Sequence, residues 1–562
     1  MLRLHIETAC RRGGAPALRP HDLDEDQCLV LLREKGQTER WQPISPTLMR
    51  HLLAHAFAEF LRQRLERDHP EQVAELHHIT SDWLGSHQML SEAIDHAMAA
   101  GDPERAVELV EENARDLVEH GQLATLTGLA AKLPPRHAAA HPLLQITLAW
   151  ANVLLRRPAE VHTALRLAIA SDTAKSAAGQ PMSDLELEAA LLHGVEFAFA
   201  DRIDDRDSVV EECRSRTDAL TPWVLCAASN VGAFVALHRF DFDRVREWHE
   251  WGAPYFRHVA SALSIMYSHC LAGIAAHEQL DMDRAEHHFQ TALQLARTTA
   301  GENSQTARLA GAMLGDFRYE RNELEEAELL LDNGAQLGFE GGPVDLLLAT
   351  YATGARIKAV RGDLAAAVAR LTEGARVAGT LALPRLAARI VTERVRLGLE
   401  QVTAADRQRA PIPENNGIIT AIRESEEESA IRTLLRGHPD LAAARSAALL
   451  RSIDPGRRPR AALYATLLNA NCLATQGHTD DAADELAPVP ARCAHIGIVR
   501  PVLDEGPTLI GVIRRMRNDQ EQGRQRPARP HVPRAFLAEL LDQPAGELQN
   551  HGTGLTSPIE GP

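Results

Sequence analysis

Lysine is nearly missing from this 562-residue chain: of its 60 cationic side chains only Lys35, Lys132, Lys175 and Lys358 are lysines. A nucleotide-binding P-loop needs Gly-Lys-[Ser/Thr], because glycine amides cradle the phosphates and the lysine reaches between them. Here Glu34, Ala131, Ala174 and Ile357 precede the four lysines, so no Walker A motif exists. Aromatic residues are also scarce, at 4%. Seven scattered cysteines (Cys10, Cys28, Cys213, Cys226, Cys270, Cys472 and Cys493) include no CxxC pair, which excludes a thiolate zinc knuckle and argues against a disulfide framework. No run of 18 apolar residues is present, so no transmembrane helix is expected. The opening stretch Met1 to Thr8 is broken by charge before a signal-peptide core can form, and the expected location is cytoplasmic, without membrane contact.

Positive charge is in deficit too. Sixty basic residues against 77 acidic ones give −17, a field that repels phosphate backbones unless a local basic patch opposes it. Neither a GxSxG elbow nor a GxGxxG fingerprint occurs. Glu325, Glu326 and Glu328 read as solvated charge on a helix face, no acid–base pair stands out, and the chain is expected not to be an enzyme and to need no cofactor.

What the chain has is a repeat. Apolar residues make up 45%, dominated by alanine and leucine, a mixture suited to helix packed on helix. Six segments align on a small residue early in a helix: those ending at Ala106, Val245, Ala285, Ala327, Ala367 and Ala482. The steps 245→285, 285→327 and 327→367 are 40, 42 and 40 residues, the period of stacked helical hairpins. The 115-residue gap from 367 to 482 is close to three periods, and the 139-residue gap from 106 to 245 implies an insertion. Asp102, Asp241, Asp281 and Asp363 stand four residues before the aligned position, where an N-cap carboxylate accepts the free amides of a new helix. Pro103 suits the first helical position. Glu323 and His478 break the cap rule, with Asn322 and Thr479 one residue away. The small aligned residue implies that a neighbouring helix passes close. The predicted fold is all-α: a right-handed superhelical solenoid of TPR-like hairpins.

From residue 51 the chain reads His-Leu-Leu-Ala-His-Ala-Phe-Ala-Glu-Phe-Leu-Arg-Gln-Arg-Leu-Glu-Arg, then Val73-Ala-Glu-Leu-His77, Ser81-Asp-Trp-Leu84, Glu92-Ala-Ile-Asp-His-Ala97 and Ala99-Ala-Gly-Asp-Pro-Glu-Arg-Ala106. This resembles the large ATP-dependent LuxR-type transcriptional regulators, the MalT-like family. In that family the run closes a winged-helix module behind an NTPase and leads into an effector-sensing solenoid, and a helix-turn-helix ends the chain. The resemblance implies an unassigned segment over 1–40, a small N-terminal winged-helix remnant with helical connector over 41–135, the solenoid over 136–515 and a flexible basic linker and tail over 516–562. Leu555-Thr-Ser-Pro-Ile-Glu560 looks like the opening of the family's DNA-binding module, with two residues following. The expectation is a regulator core without its NTPase or helix-turn-helix. It would bind a small effector or a protein partner, with self-association also open, and would touch DNA only if a helix-turn-helix were supplied. The alternative is a scaffold that holds peptides in its groove.

The tail concentrates Arg514, Arg515, Arg517, Arg524, Arg526, Arg529 and Arg534 among prolines and glutamines, a pattern read as a solvated linker, with Phe536 to Leu541 as one last short helix. His51 and His55 have the i,i+4 spacing of metal ligands but lack the HExxH glutamate. His137 and His141 flank a turn, and the neighbours in His77-His78 and His287-His288 face different ways, so no metal site is expected. Residues 223–319 hold 12 of the 23 aromatics. Phe234, Phe240 and Phe289 read as hairpin core. Trp248, Trp251, Tyr255 and Tyr267, with His238 and His269 as polar ends, are the candidate effector-binding residues, because rings beside hydrogen-bonding groups are what a small-molecule pocket uses.

Overall fold

The turns of the six aligned hairpins share one backbone device. In a computed structural model, which describes residues 18–34, 38–173, 182–203, 207–402, 416–524 and 529–542, the residue ahead of each aligned cap position has positive φ: Gly101 at 78°, Phe240 at 57°, Leu280 at 60°, Asn322 at 65°, Gly362 at 83° and Gly477 at 87°. That left-handed residue lets the next amide bond back into the finished helix, as Asp281 N does to Ala276 O at 2.9 Å and Asp363 N to Lys358 O at 3.0 Å. The carboxylates of Asp102, Asp241, Asp281 and Asp363 then accept the amides of Arg105, Arg244, Arg284 and Ala366 at 3.0, 3.2, 3.3 and 2.9 Å. At Glu323 and His478 no side-chain cap forms. Asn322 is spent on closing the preceding helix, and the Thr479 hydroxyl turns to Gly477 O.

All six aligned residues are fully buried, which is why they are small. Val161 and Ala442 are buried in the same way and mark two further copies. Val161 follows the positive-φ residue Arg156, and Asp201, at φ 54°, marks a turn between Val161 and Val245. The insertion after Ala106 therefore narrows to the short helices Leu123–Ala130 and Pro135–Ala138. The copy expected between Ala367 and Ala442 would start within residues 403–415, outside the described residues.

The chain divides into two compact units, residues 1–112 with 128–138, and residues 113–127 with 139–562. The described part of the first begins with a small antiparallel sheet of Leu23–Asp24, Leu29–Glu34 and Thr38–Pro43, in that order, with Val30 opposite Gln42 and Leu32 opposite Arg40. Alternation sends Val30 and Leu32 to one face, where they pack with Ile44, Leu48 and Met49. The buried Asp22 accepts two bonds from the Arg33 guanidinium, at 2.7 and 2.6 Å. The segment expected to be unassigned thus holds the sheet, ahead of the helix Pro46–Asp68, which Ser45 caps.

The second unit is the solenoid. Its first-of-hairpin helices include Pro222–Leu237, Ala262–Glu278, Gln305–Glu320, Pro384–Arg396, Gly417–Leu434 and Pro459–Thr475. Another runs through Val344–Leu348, Ala349–Thr353 and Gly354–Val360, with its middle wound as a π-turn. Their partners include Phe242–Phe256, Met282–Ala300, Leu324–Ala335 and Leu364–Thr380. Close helix approach depends on glycine at two of these interfaces: a Cβ at Gly232 would lie 2.5 Å from the Trp248 ring, and one at Gly273 2.5 Å from Phe289. Phe234 and Phe289 are core, as expected, while Phe240 is half-buried beneath Arg458. Phe536, Leu537 and Leu540 of the helix Arg534–Asp542 join the core beside Ile513 and Met516, so part of the segment expected as linker is packed. No helix among the described residues is long and apolar enough to cross a membrane.

Asp281→Ala, which removes a formed cap, is expected to cost about 1 kcal/mol in chemical denaturation. His478→Ala, at an exposed position with no cap bond, is expected to change stability by less than half as much.

Candidate functional site

Arginine, with its planar fork, suits buried two-point contacts with carboxylates, and the first-of-hairpin helices carry such arginines on the face they share. Arg356, itself buried, pairs with Glu393 through both oxygens, Nε to Oε2 at 2.9 Å. Arg389 reaches Glu393 at 3.1 Å and Glu428 at 3.3 Å. Arg396 and Arg432 donate to Glu428 at 3.0 and 2.9 Å. Both also hold Glu505, Arg396 at 3.1 Å and Arg432 at 2.6 Å. Glu505 and Asp504 follow the short helix Arg500–Leu503; Asp504 accepts the Tyr319 hydroxyl at 3.0 Å and pairs with Arg500. Elsewhere on the same face Glu320 accepts from His277 at 2.8 Å and pairs with Arg460 and Tyr464.

Arg356, Arg389, Arg396, Arg432, Glu428 and Glu320 line a cavity of about 320 Å³ bordered by helices from Ala262–Glu278 to Pro459–Thr475, while Glu393, Asp504 and Glu505 pair with its arginines from outside the lining. Burial by itself would raise the carboxylates. The guanidiniums outweigh it: Arg356 and Arg389 hold Glu393 down at about 2, and Arg460 with His277 holds Glu320 well below the usual carboxylate range.

A second chamber adjoins the first, sharing Ile274 and Asp345 with it. Its lining is mostly apolar and aromatic: Trp150, Phe199, Trp223, Phe234, Tyr267 and Leu346 among others. Trp150 meets Trp223 edge-on at 5.3 Å, and Phe199 meets Tyr267 at 6.3 Å. Two lining atoms are buried with no hydrogen-bond partner, the Trp223 indole N–H and Asn230 Oδ1. Trp223 and Asn230 lie seven residues apart on one helix, hence on one face about 10 Å apart along the axis. The Asn230 amide is oriented by Nδ2 donating to Ser264 O at 2.9 Å, so Oδ1 is its free acceptor. A buried donor and acceptor left open in an apolar wall cost stability unless something binds them. At the boundary of the two chambers Asp345 accepts from Arg385 at 2.8 Å and lies 3.3 Å from His238 Nε2, while Arg385 also grips the buried Asp201 at 2.6 Å.

The six residues singled out from the sequence fall into separate places. Tyr267 lines the apolar chamber, and the buried His238 stands behind it against Asp345. Trp248, Trp251 and Tyr255 form a ladder on Phe242–Phe256 with 5.4 Å between successive rings. Trp248 is buried there, with Arg214 at 5.4 Å and Arg244 at 5.1 Å from its ring, and none of the three lines either cavity. His269 meets His249 and His288 instead. Sequence reasoning missed the arginine network, although its one legible trace is the replacement of lysine by arginine throughout the chain. It also missed Asn230, whose pairing with Ser264 depends on how two helices are set side by side.

Residues 222–519 match the family described as the MalT-like TPR region. The serine/threonine-protein kinase PknK of Mycobacterium tuberculosis is 43% identical over 460 residues, 80% of this chain and 41% of that protein, and the Mycobacterium bovis protein of the same name matches equally. The HTH-type transcriptional regulator MalT of Yersinia enterocolitica is 34% identical over 112 residues, 20% of this chain and 12% of that one. The chain thus spans about two-fifths of the length of the kinases it matches. The expectation that it is not an enzyme is corrected by these relatives, which are named as serine/threonine-protein kinases. The physical reason for the error is that solenoid residues record helix packing, so they carry no trace of the chemistry for which the relatives are named.

Glu393→Gln leaves Arg356 and Arg389 without their shared countercharge and is expected to cost about 3–5 kcal/mol in urea unfolding. Glu373→Gln, which removes a surface pair with Arg376, should cost at most about 1 kcal/mol. Because Glu393 is held at about 2 against an ordinary 4.5, its contribution is present above the unfolded-state value. It is lost as pH falls through the folded one, so the difference between wild type and Glu393→Gln should narrow from pH 5 to pH 2.

Proposed function

Because the chain belongs to the family of MalT-like TPR regions, we propose that it is an effector-sensing helical-repeat module whose ligand occupies the paired chambers of the solenoid. The observation that carries this reading is the apolar chamber with an unpartnered indole N–H at Trp223 and an unpartnered Asn230 Oδ1. A ligand with an elongated apolar or aromatic body that carries an acceptor for the indole N–H and, set apart along that body, a donor for Oδ1 would satisfy both, while its polar end would enter the arginine- and glutamate-lined cavity. The volume of that cavity is of small-molecule size. This favours a metabolite over an extended peptide in a groove.

Signalling in this reading is a population shift. The ligand binds one arrangement of the hairpins better than another, and the coupling passes through Asp345, Arg385 and the contacts that hold residues 500–505. The output belongs to the larger polypeptide or to a partner. The kinase relatives favour control of phosphoryl transfer, and the MalT relatives offer transcription as the second output.

A metabolite screen by thermal shift, followed by calorimetry, tests the site. Asn230→Leu and Trp223→Phe are expected each to weaken a ligand found this way by about 1–3 kcal/mol, roughly 5- to 150-fold. Trp251→Ala, on the helix that lines neither cavity, is expected to leave affinity unchanged. Wild-type affinity in both chamber variants sinks this placement, and saturable binding of one polypeptide with no small-molecule response returns the scaffold reading.

A further inference from the structure

Three histidines from three successive helices converge at a place that lines neither cavity. His249 lies on Phe242–Phe256, His269 on Ala262–Glu278 and His288 on Met282–Ala300. Their ring centres are 4.9, 4.9 and 5.4 Å apart, and one ring nitrogen from each lies within 4.8 Å of the other two. His269 Nδ1 and His288 Nδ1 are 3.1 Å apart. Two imidazole nitrogens bound to one tetrahedral zinc, each about 2.0–2.1 Å from the ion, are about 3.4 Å apart, so this pair already has nearly the required separation. His249 Nδ1 is hydrogen-bonded to Ser268 Oγ at 2.8 Å, and Ser268 is buried. That contact fixes the ring and leaves Nε2 as the free nitrogen, the role an outer-shell partner plays at metal sites.

The protonation state agrees with ligation. Burial first, then the neighbouring imidazoles, lowers His269 to about 3 and His288 to about 4, and burial lowers His249 in the same direction. All three are therefore neutral at pH 7, with lone pairs free for a metal. The spacing in sequence, 20 and 19 residues, gives no metal motif, because each ligand sits on a different helix. His287 is exposed beside the buried-facing His288, so the site lies near solvent and an ion has a short path to it.

We propose that His249, His269 and His288 form a three-histidine site for a divalent transition metal, with zinc as the first choice and a fourth position open to water. Imidazole ligands suit zinc, copper and nickel more than calcium or magnesium. A bound ion would pin Phe242–Phe256, Ala262–Glu278 and Met282–Ala300 to one another, the second of which also carries Tyr267.

Titrating the chelator-stripped full chain with Co²⁺ is expected to give a visible d–d band of tetrahedral type that Zn²⁺ displaces. His269→Gln and His288→Gln are each expected to abolish this band while keeping wild-type helicity by circular dichroism. Ser268→Ala keeps all three ligands and should weaken zinc binding by about 10- to 100-fold, which tests the site even if a histidine variant misfolds. His193→Gln serves as the control, because His162, His193 and Glu196 form the other group of close ligand atoms among the described residues. The absence of a Co²⁺ band, a band untouched in both His269→Gln and His288→Gln, or one lost only in His193→Gln overturns the proposal. Unchanged zinc affinity in Ser268→Ala overturns the part assigned to His249.

Discussion

The pairing of buried guanidiniums with buried carboxylates is the constraint on which the solenoid's inner face depends. A buried charge without a partner costs several kcal/mol, so each arginine there obliges a carboxylate on a neighbouring helix to be in reach. Glu393 is held by Arg356 and Arg389, Glu428 by Arg389, Arg396 and Arg432, and Glu505 by Arg396 and Arg432. These links cross from one repeat to the next and then to residues 500–505, so they set how the repeats are rotated as well as how tightly they pack. An all-apolar face of the same volume can pack as firmly but tolerates sliding; the arginine forks do not.

The same network borders the apolar chamber. Asp345 belongs to both chambers and answers to Arg385 and His238, while Arg385 also holds Asp201 from an earlier repeat. A ligand that moved Asp345 would therefore act on contacts spanning some 180 residues of sequence. This is a short physical route from a binding event to repeat rotation, carried by side chains that already bridge the repeats.

The kinase relatives change the context of the chain and leave its architecture as it was. A repeat module is selected for packing and for the pocket it encloses, so the same 40-residue signature serves proteins named as kinases and proteins named as transcriptional regulators.

What the sequence determined by itself was local. A four-residue interval between Asp and a small residue, repeated every 40 or so positions, specified caps, hairpins and buried seams, and the caps at Asp102, Asp241, Asp281 and Asp363 all form. It also marked the aromatic-rich stretch, of which Trp223, Phe234 and Tyr267 line the apolar chamber and Tyr319 the charged one. Tertiary structure decided the rest, because ligand chambers and ion networks are made by residues far apart in the chain. Only the stacking of helices brings Arg356 to Glu393, Asn230 to Ser264, or three histidines about 20 residues apart to one point. Periodicity states that a helix has a buried face, and it does not state which other helix that face will meet.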